Sequence, residues 1–150
     1  MSNAVSPLRM LDWRVADFKF SNNVINPAVD IPHVWTVNAH IDHLDSPDDR
    51  LHAAVYVRFS FLAEQGETKI QFEGTAAAFF SFDKENADSD DPQTLFDQLL
   101  RGPAMTNMFG NLRVFLLQAG ALLQLGSKRV MFPFINLNEF KFDEDFTFNV

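Results

Sequence analysis

The sequence predicts an α+β domain in which a four-stranded antiparallel sheet packs against one long helix. Three observations carry that reading. Apolar and polar residues alternate over three stretches between Trp35 and Phe82, the period-two signature of half-buried strands. The links between those stretches are short and turn-like, so consecutive strands pair antiparallel. Beyond them, Met105 to Leu125 repeats apolar residues at helical spacing.

The elements follow in order. A first strand is expected near Leu11 to Phe20, with Asp12, Arg14, Ala16, Phe18 and Phe20 on one face. Asn22 to Pro32 reads as a loop; its length, with Pro27 and Pro32, implies a crossover and not a hairpin. In the second strand Trp35, Val37, Ala39 and Ile41 oppose Thr36, Asn38, His40 and Asp42. In the third, Val55, Val57, Phe59 and Phe61 oppose Ala54, Tyr56, Arg58 and Ser60. The fourth row is the longest: Ile70, Phe72, Gly74, Ala76, Ala78, Phe80 and Phe82. Its small residues imply a trough in which a helix could lie closely. Turns at Asp45 to Asp49 and Glu64 to Glu67 join the last three strands.

Asp83 to Asp91 is acidic and reads as a solvated loop. Asp91 then caps a short helix that opens on Pro92 and runs to about Leu100, where Gly102-Pro103 should stop it. The long helix presents Met105, Met108, Phe109, Leu112, Leu116, Ala119 and Leu123 on one face. Val114, Leu117, Ala121 and Leu125 add a second apolar face in its later half. One sheet covers one side of a helix, so a second subunit is expected on the other. After a break at Gly126-Ser127, the pair Lys128-Arg129 suits a helix C-terminus. Lys141 to Val150 alternates Phe142, Phe146 and Phe148 with charges and fits either an edge strand or a mobile tail. Residues 1–10 are read as a second tail on a single domain spanning 1–150.

Composition narrows the function classes. The chain has 150 residues, enough for one well-formed core, and 47% of them are hydrophobic. Phenylalanine dominates, with 17 against one Tyr and two Trp. Such a surplus serves either a core built from rings or an aromatic binding surface. A net charge of −8 and the lack of a basic run argue against a nucleic-acid partner. With no cysteine, thiolate metal sites and thiol nucleophiles are excluded. The N-terminal residues lack a signal-peptide pattern, and the run Val114 to Leu125 falls short of a membrane span. A soluble cytoplasmic protein without membrane insertion is expected.

Chemistry-bearing patterns are sparse. His40 and His43 stand three apart on a strand and so point to opposite faces, unable to share an ion. His33 and His52 complete no ligand spacing. Asp42, Asp45, Asp48 and Asp49 surround a turn without the glycine and terminal Glu of a calcium loop. There is no nucleophile elbow and no glycine-rich phosphate loop. No catalytic residue, metal or cofactor is expected, and the chain is not read as an enzyme.

Two segments carry a family resemblance. The long helix leading into Phe132-Pro133-Phe134-Ile135-Asn136-Leu137 resembles the bacterial SecB-like export chaperones, and Asp17-Phe18-Lys19-Phe20-Ser21 is similar to that family's first-strand segment. The resemblance runs from about Leu11 to Phe140. It implies a SecB-like fold, a homodimer or tetramer with helices between sheets, and a holdase activity on non-native polypeptides. The groove lining it implies is Phe18, Phe20 and Val24 near the crossover, with Phe132, Phe134 and Phe140 beyond the helix. Asp17 matches the acidic position that docks the motor ATPase SecA, while Ser21 stands where the family has Glu. A dedicated partner such as an antitoxin is compatible with the same fold. The second helix of the export chaperone has no counterpart after Lys141. Two other classes stay open: a small-ligand binder or enzyme with a cystatin-like cavity, using His40, Tyr56 or Arg58, and a structural assembly subunit.

Overall fold

The structure is a computed structural model that describes residues 6–23, 31–45, 49–87, 89–122 and 132–149. Strands β1 (Leu8–Asn22), β2 (His33–Leu44), β3 (Arg50–Gln65) and β4 (Thr68–Asp83) are followed by α1 (Pro92–Leu99), α2 (Met105–Leu122) and β5 (Phe146–Asn149). The sheet order is β1-β4-β3-β2-β5, and every neighbouring pair is antiparallel. β1 therefore lies on the far side of β4 from β2, as a crossover requires. The Val24 position and the Lys128-Arg129 pair lie outside the described residues.

The sheet has five strands, not four. Phe148 stands opposite Trp35 and Phe146 opposite Val37, so the aromatic residues of β5 extend the apolar face of β2. The segment from Lys141 is thus an edge strand with its lead-in, and β1 likewise begins within the stretch read as an N-terminal tail.

The rows in β2, β3 and β4 are as the alternation requires. Trp35, Val37, Val55, Val57, Phe61, Phe72, Ala76, Ala78 and Phe82 are almost wholly buried. β1 differs. Its register against β4 slips between Met10 and Asp12 and again between Val15 and Asp17. Each bulge adds one residue and flips the side chains that follow to the other face. The apolar row of β1 is consequently Leu8, Met10, Trp13, Val15, Phe18 and Phe20. Asp12 and Arg14 face the other way and pair with each other.

Two glycines have a definite task. Gly66 adopts φ 62° in the two-residue hairpin between β3 and β4, where a side chain would be strained. At Gly74 a Cβ would come within 2.7 Å of the Asp17 carbonyl oxygen and 2.7 Å of Phe59 Cζ. The space left by Gly74 is therefore filled by the bulge of β1 and a ring of β3, not by a helix as the trough reading expected.

Asp91 caps α1, accepting from the Thr94 amide at 3.2 Å and the Thr94 hydroxyl at 2.6 Å. The helix does not stop at Gly102-Pro103. Leu100–Ala104 form a π-helical turn that runs directly into α2. Proline lacks an amide proton and crowds the carbonyl four residues back, and a widened turn relieves both. Burial of Leu100 and Ala104 in the core holds that turn in place. Among the described residues, no helix is long and apolar enough to cross a membrane.

α2 lies against β4 with Met105, Met108, Phe109, Leu112 and Leu116 buried. Aromatic rings make the layer between helix and sheet. Phe61 and Phe72 stack at 4.8 Å, and Trp35 meets Phe61, Phe72 and Phe132 edge-on. Of the 17 phenylalanines only Phe79 and Phe134 are exposed, so most of the surplus builds the core.

Candidate functional site

The segment Phe132 to Asn136 lies beside α2 without regular secondary structure, and a turn begins at Leu137. Phe132 points inward and is fully buried against Trp35 and Phe109. Phe134, two residues on, is 84% exposed. Residues two apart share a face in a regular strand, so the opposite placement of the two rings means that the chain departs from strand geometry here. Arg113 of α2 fixes the arrangement. Its Nε donates to the Phe132 carbonyl at 3.1 Å and its Nη2 to the Pro133 carbonyl at 3.1 Å. The guanidinium then lies 4.2 Å from the centre of the Phe134 ring. Desolvation lowers the Arg113 pKa from its ordinary value, but arginine keeps its charge at neutral pH. Next to Arg113 in the chain Val114 is 56% exposed, and Leu117, one turn on from Arg113, is also exposed. Phe134, Val114 and Leu117 thus give the outer side of α2 an apolar surface beside an aromatic ring held out by a cation.

The other residues singled out from the sequence do not share one groove with Phe134. Phe140 is buried, and with Phe132 it surrounds Phe109 at ring distances of 5.9 and 5.6 Å. Phe132 and Phe140 are thus core residues in this conformation, because the chain after α2 folds back onto the sheet. Phe18 is half-buried, edge-on to Phe115 of α2 at 5.5 Å. Phe20 is half-buried beside a shallow cavity of about 170 Å³ that also involves Lys19, Gln71 and Glu73. Arg113 carried no sequence signal beyond its place in an apolar helix; Val114 and Leu117 belong to the second face read there.

The sheet's opposite face is polar. A depression of about 400 Å³ on it is lined by Asp17, Lys19, Asn38, Arg58, Glu73 and Asp145, among others. Asp17 and Arg58 are exposed there. His40 is exposed and pairs with Asp143. Tyr56, half-buried, alternates with the core row on the same face as Arg58. None of His40, Tyr56 and Arg58 points into the apolar interior, so a cystatin-like cone built on them is not what this sheet forms. His43 points the other way, toward Phe96 and Asp97. His33 packs on the Phe61 ring. Among the described residues, no group of three or more His, Asp or Glu is placed to hold a metal ion.

No protein-family model matches this chain, and no curated protein matches it. Among solved structures it is similar to the Mycobacterium tuberculosis SecB-like chaperone Rv1957, solved in complex with a ChAD peptide from the Rv1956 HigA1 antitoxin. That likeness has a TM-score of 0.62 at 12% identity and covers 86% of this chain and 88% of the other. The chain is also similar to a protein of unknown function from Streptococcus agalactiae, with a TM-score of 0.49 at 6% identity over 87% of this chain and 100% of that one. The first likeness shows a SecB-like fold.

Proposed function

We propose that the protein is a SecB-like chaperone that holds non-native polypeptide segments by apolar contact. The observation that carries this reading is Phe134, a large ring 84% exposed yet clamped in position over Arg113. A pre-positioned ring loses little conformational freedom when an apolar segment covers it. Burial contributes about 25 cal/mol per Å² of apolar surface, so Phe134 and a few neighbours supply a few kcal/mol without sequence specificity. The reading is non-enzymatic: binding and release need no covalent step. The solved SecB-like neighbour carries a bound antitoxin peptide, which supports polypeptide as the ligand class and leaves a dedicated partner within the same reading.

The outer side of α2 supports a homo-oligomer. Val114 and Leu117 are exposed in the single chain, and the sequence continues their row with Ala121 and Leu125. A second copy covering that row leaves Phe134, at its margin, for clients. Asp17 stands exposed on the opposite face of the sheet, open to a docking protein such as SecA, which would meet mixed charge there through Lys19 and Arg58.

The test is light scattering from a chemically unfolded protein diluted into buffer with a stoichiometric amount of this chain. Aggregation should be suppressed by the wild type and much less by Phe134→Ser. Full aggregation in the presence of a several-fold excess of wild type would sink the holdase reading.

A further inference from the structure

We propose that β5 is an intramolecular occupant of the β2 edge, and that its release opens this edge to an extended polypeptide segment with aromatic residues at alternate positions. The inference rests on the chaperone reading and places one client contact that the reading leaves open.

β2 spans His33–Leu44 and is paired along its whole length by β3 on one side. On the other side β5 pairs only Val34 to Val37. An uncovered edge presents backbone amides and carbonyls that an added strand can satisfy whatever its sequence. Selectivity then comes from alternate side chains. β5 shows which ones suit this edge: Phe146 and Phe148 fall beside Val37 and Trp35 on the apolar face, with Thr147 on the polar face beside Thr36. Both rings are only half-buried, Phe146 lying 6.0 Å from Phe140 and 5.4 Å from Phe148.

The attachments of this strand are short and wet. Asn38 Nδ2 donates to Asp145 at 3.1 Å, the Thr36 and Thr147 hydroxyls meet at 3.3 Å, and His40 pairs with Asp143, all in exposed positions. Exposed polar pairs of this kind contribute little to stability. The Asp143 amide donates to the Ala39 carbonyl at 2.8 Å, but Asp143 does so at φ 65°, a conformation unfavourable for a residue with a Cβ. Lys141, Asp143, Glu144 and Asp145 in the lead-in are exposed. Short pairing, exposed hydrogen bonds and half-buried rings mark the low-stability end of a fold, where local opening precedes global unfolding. The deep core does not depend on β5: Trp35 is closed over by Phe61, Phe72 and Phe132 from other elements.

The test uses the full chain and a fluorescein-labelled synthetic peptide of residues 141–150, followed by fluorescence anisotropy. The chain lacks cysteine, so Thr36→Cys/Thr147→Cys provides the only two thiols for a lock between β2 and β5. The oxidised lock should bind the peptide at least about ten-fold more weakly than the same molecule after reduction. Phe146→Ser/Phe148→Ser, which loosens β5 without touching β2, should bind it at least about ten-fold more tightly than wild type. Equal binding by the oxidised and reduced forms would overturn the proposal, as would a loosened variant that suppresses aggregation yet binds no peptide; in the second case the holdase reading survives. Lock-sensitive peptide binding with no effect on aggregation would instead keep the edge site and overturn the holdase reading.

Discussion

Gly74→Ala tests the packing between β1, β4 and β3 at its tightest point. The new Cβ would meet the Asp17 carbonyl oxygen and Phe59 Cζ, each at 2.7 Å. That is roughly 0.8 Å short of a comfortable carbon contact. Neither neighbour yields readily. The carbonyl is backbone at a bulge of β1, and Phe59 is 2% exposed with its ring facing Phe18. Overpacking of a filled core costs about 1–3 kcal/mol, and two stiff neighbours place this site near the upper end. Replacing glycine also restricts the unfolded chain, offsetting roughly 0.4–1 kcal/mol. The net expectation is a loss of about 2 kcal/mol, which at ordinary urea dependence lowers the unfolding midpoint by about 1 M. Equilibrium urea unfolding followed by circular dichroism reads this directly. Adding Phe59→Leu should restore only part of the loss, since the carbonyl contact remains. A Gly74→Ala midpoint within about 0.2 M of wild type would refute the packing argument.

Phe132→Ala should cost about 3–5 kcal/mol, while Phe134→Ala should stay within about 0.5 kcal/mol of wild type, because one ring is interior and the other exposed; urea unfolding of the two side by side checks this. Val114→Glu/Leu117→Glu should leave the circular dichroism unchanged and reduce the mass measured by static light scattering to that of one chain. An unchanged mass would place any oligomer contact elsewhere. Asp91→Ala should lower the melting temperature at neutral pH. Bonds from the Thr94 hydroxyl and amide hold the Asp91 carboxyl below its ordinary pKa. Its contribution is therefore complete above the unfolded value near about 3.9 and fades as pH falls through the lower folded value. The gap between wild type and variant should be constant from neutral to mildly acidic pH and close in strong acid. A gap that persists there would mean the cap acts without its charge.

The parts of the fold legible in the sequence are those whose signal is local. β2, β3 and β4 each bury one face, and a strict period of two reports that directly. The position of β1 is legible but its face is not, because the extra residues at its two bulges reverse the alternation and no residue type announces them. Simple alternation groups Asp12 and Arg14 with Phe18 and Phe20, which the structure places on the other face. Gly102-Pro103 reads as a stop on local propensity, and burial of Leu100 and Ala104 overrides it. The sequence leaves β5 open between strand and tail because its partner, β2, lies far away in sequence, and only the pairing decides. At the candidate site, Phe132-Pro133-Phe134 is legible as a unit. Which ring is exposed follows from a tertiary contact, the two bonds from Arg113, and composition cannot supply that.

The central claim is that this SecB-like fold binds non-native chain through Phe134. The most direct measurement is titration of a reduced, carboxymethylated and fluorescently labelled protein, permanently unfolded, with wild type and with Phe134→Ser. Wild type should bind with a dissociation constant on the order of 10 μM or tighter, and the variant, with unchanged circular dichroism, at least about ten-fold more weakly. Absence of binding by wild type at about 100 μM, or equal binding by both, would contradict the claim.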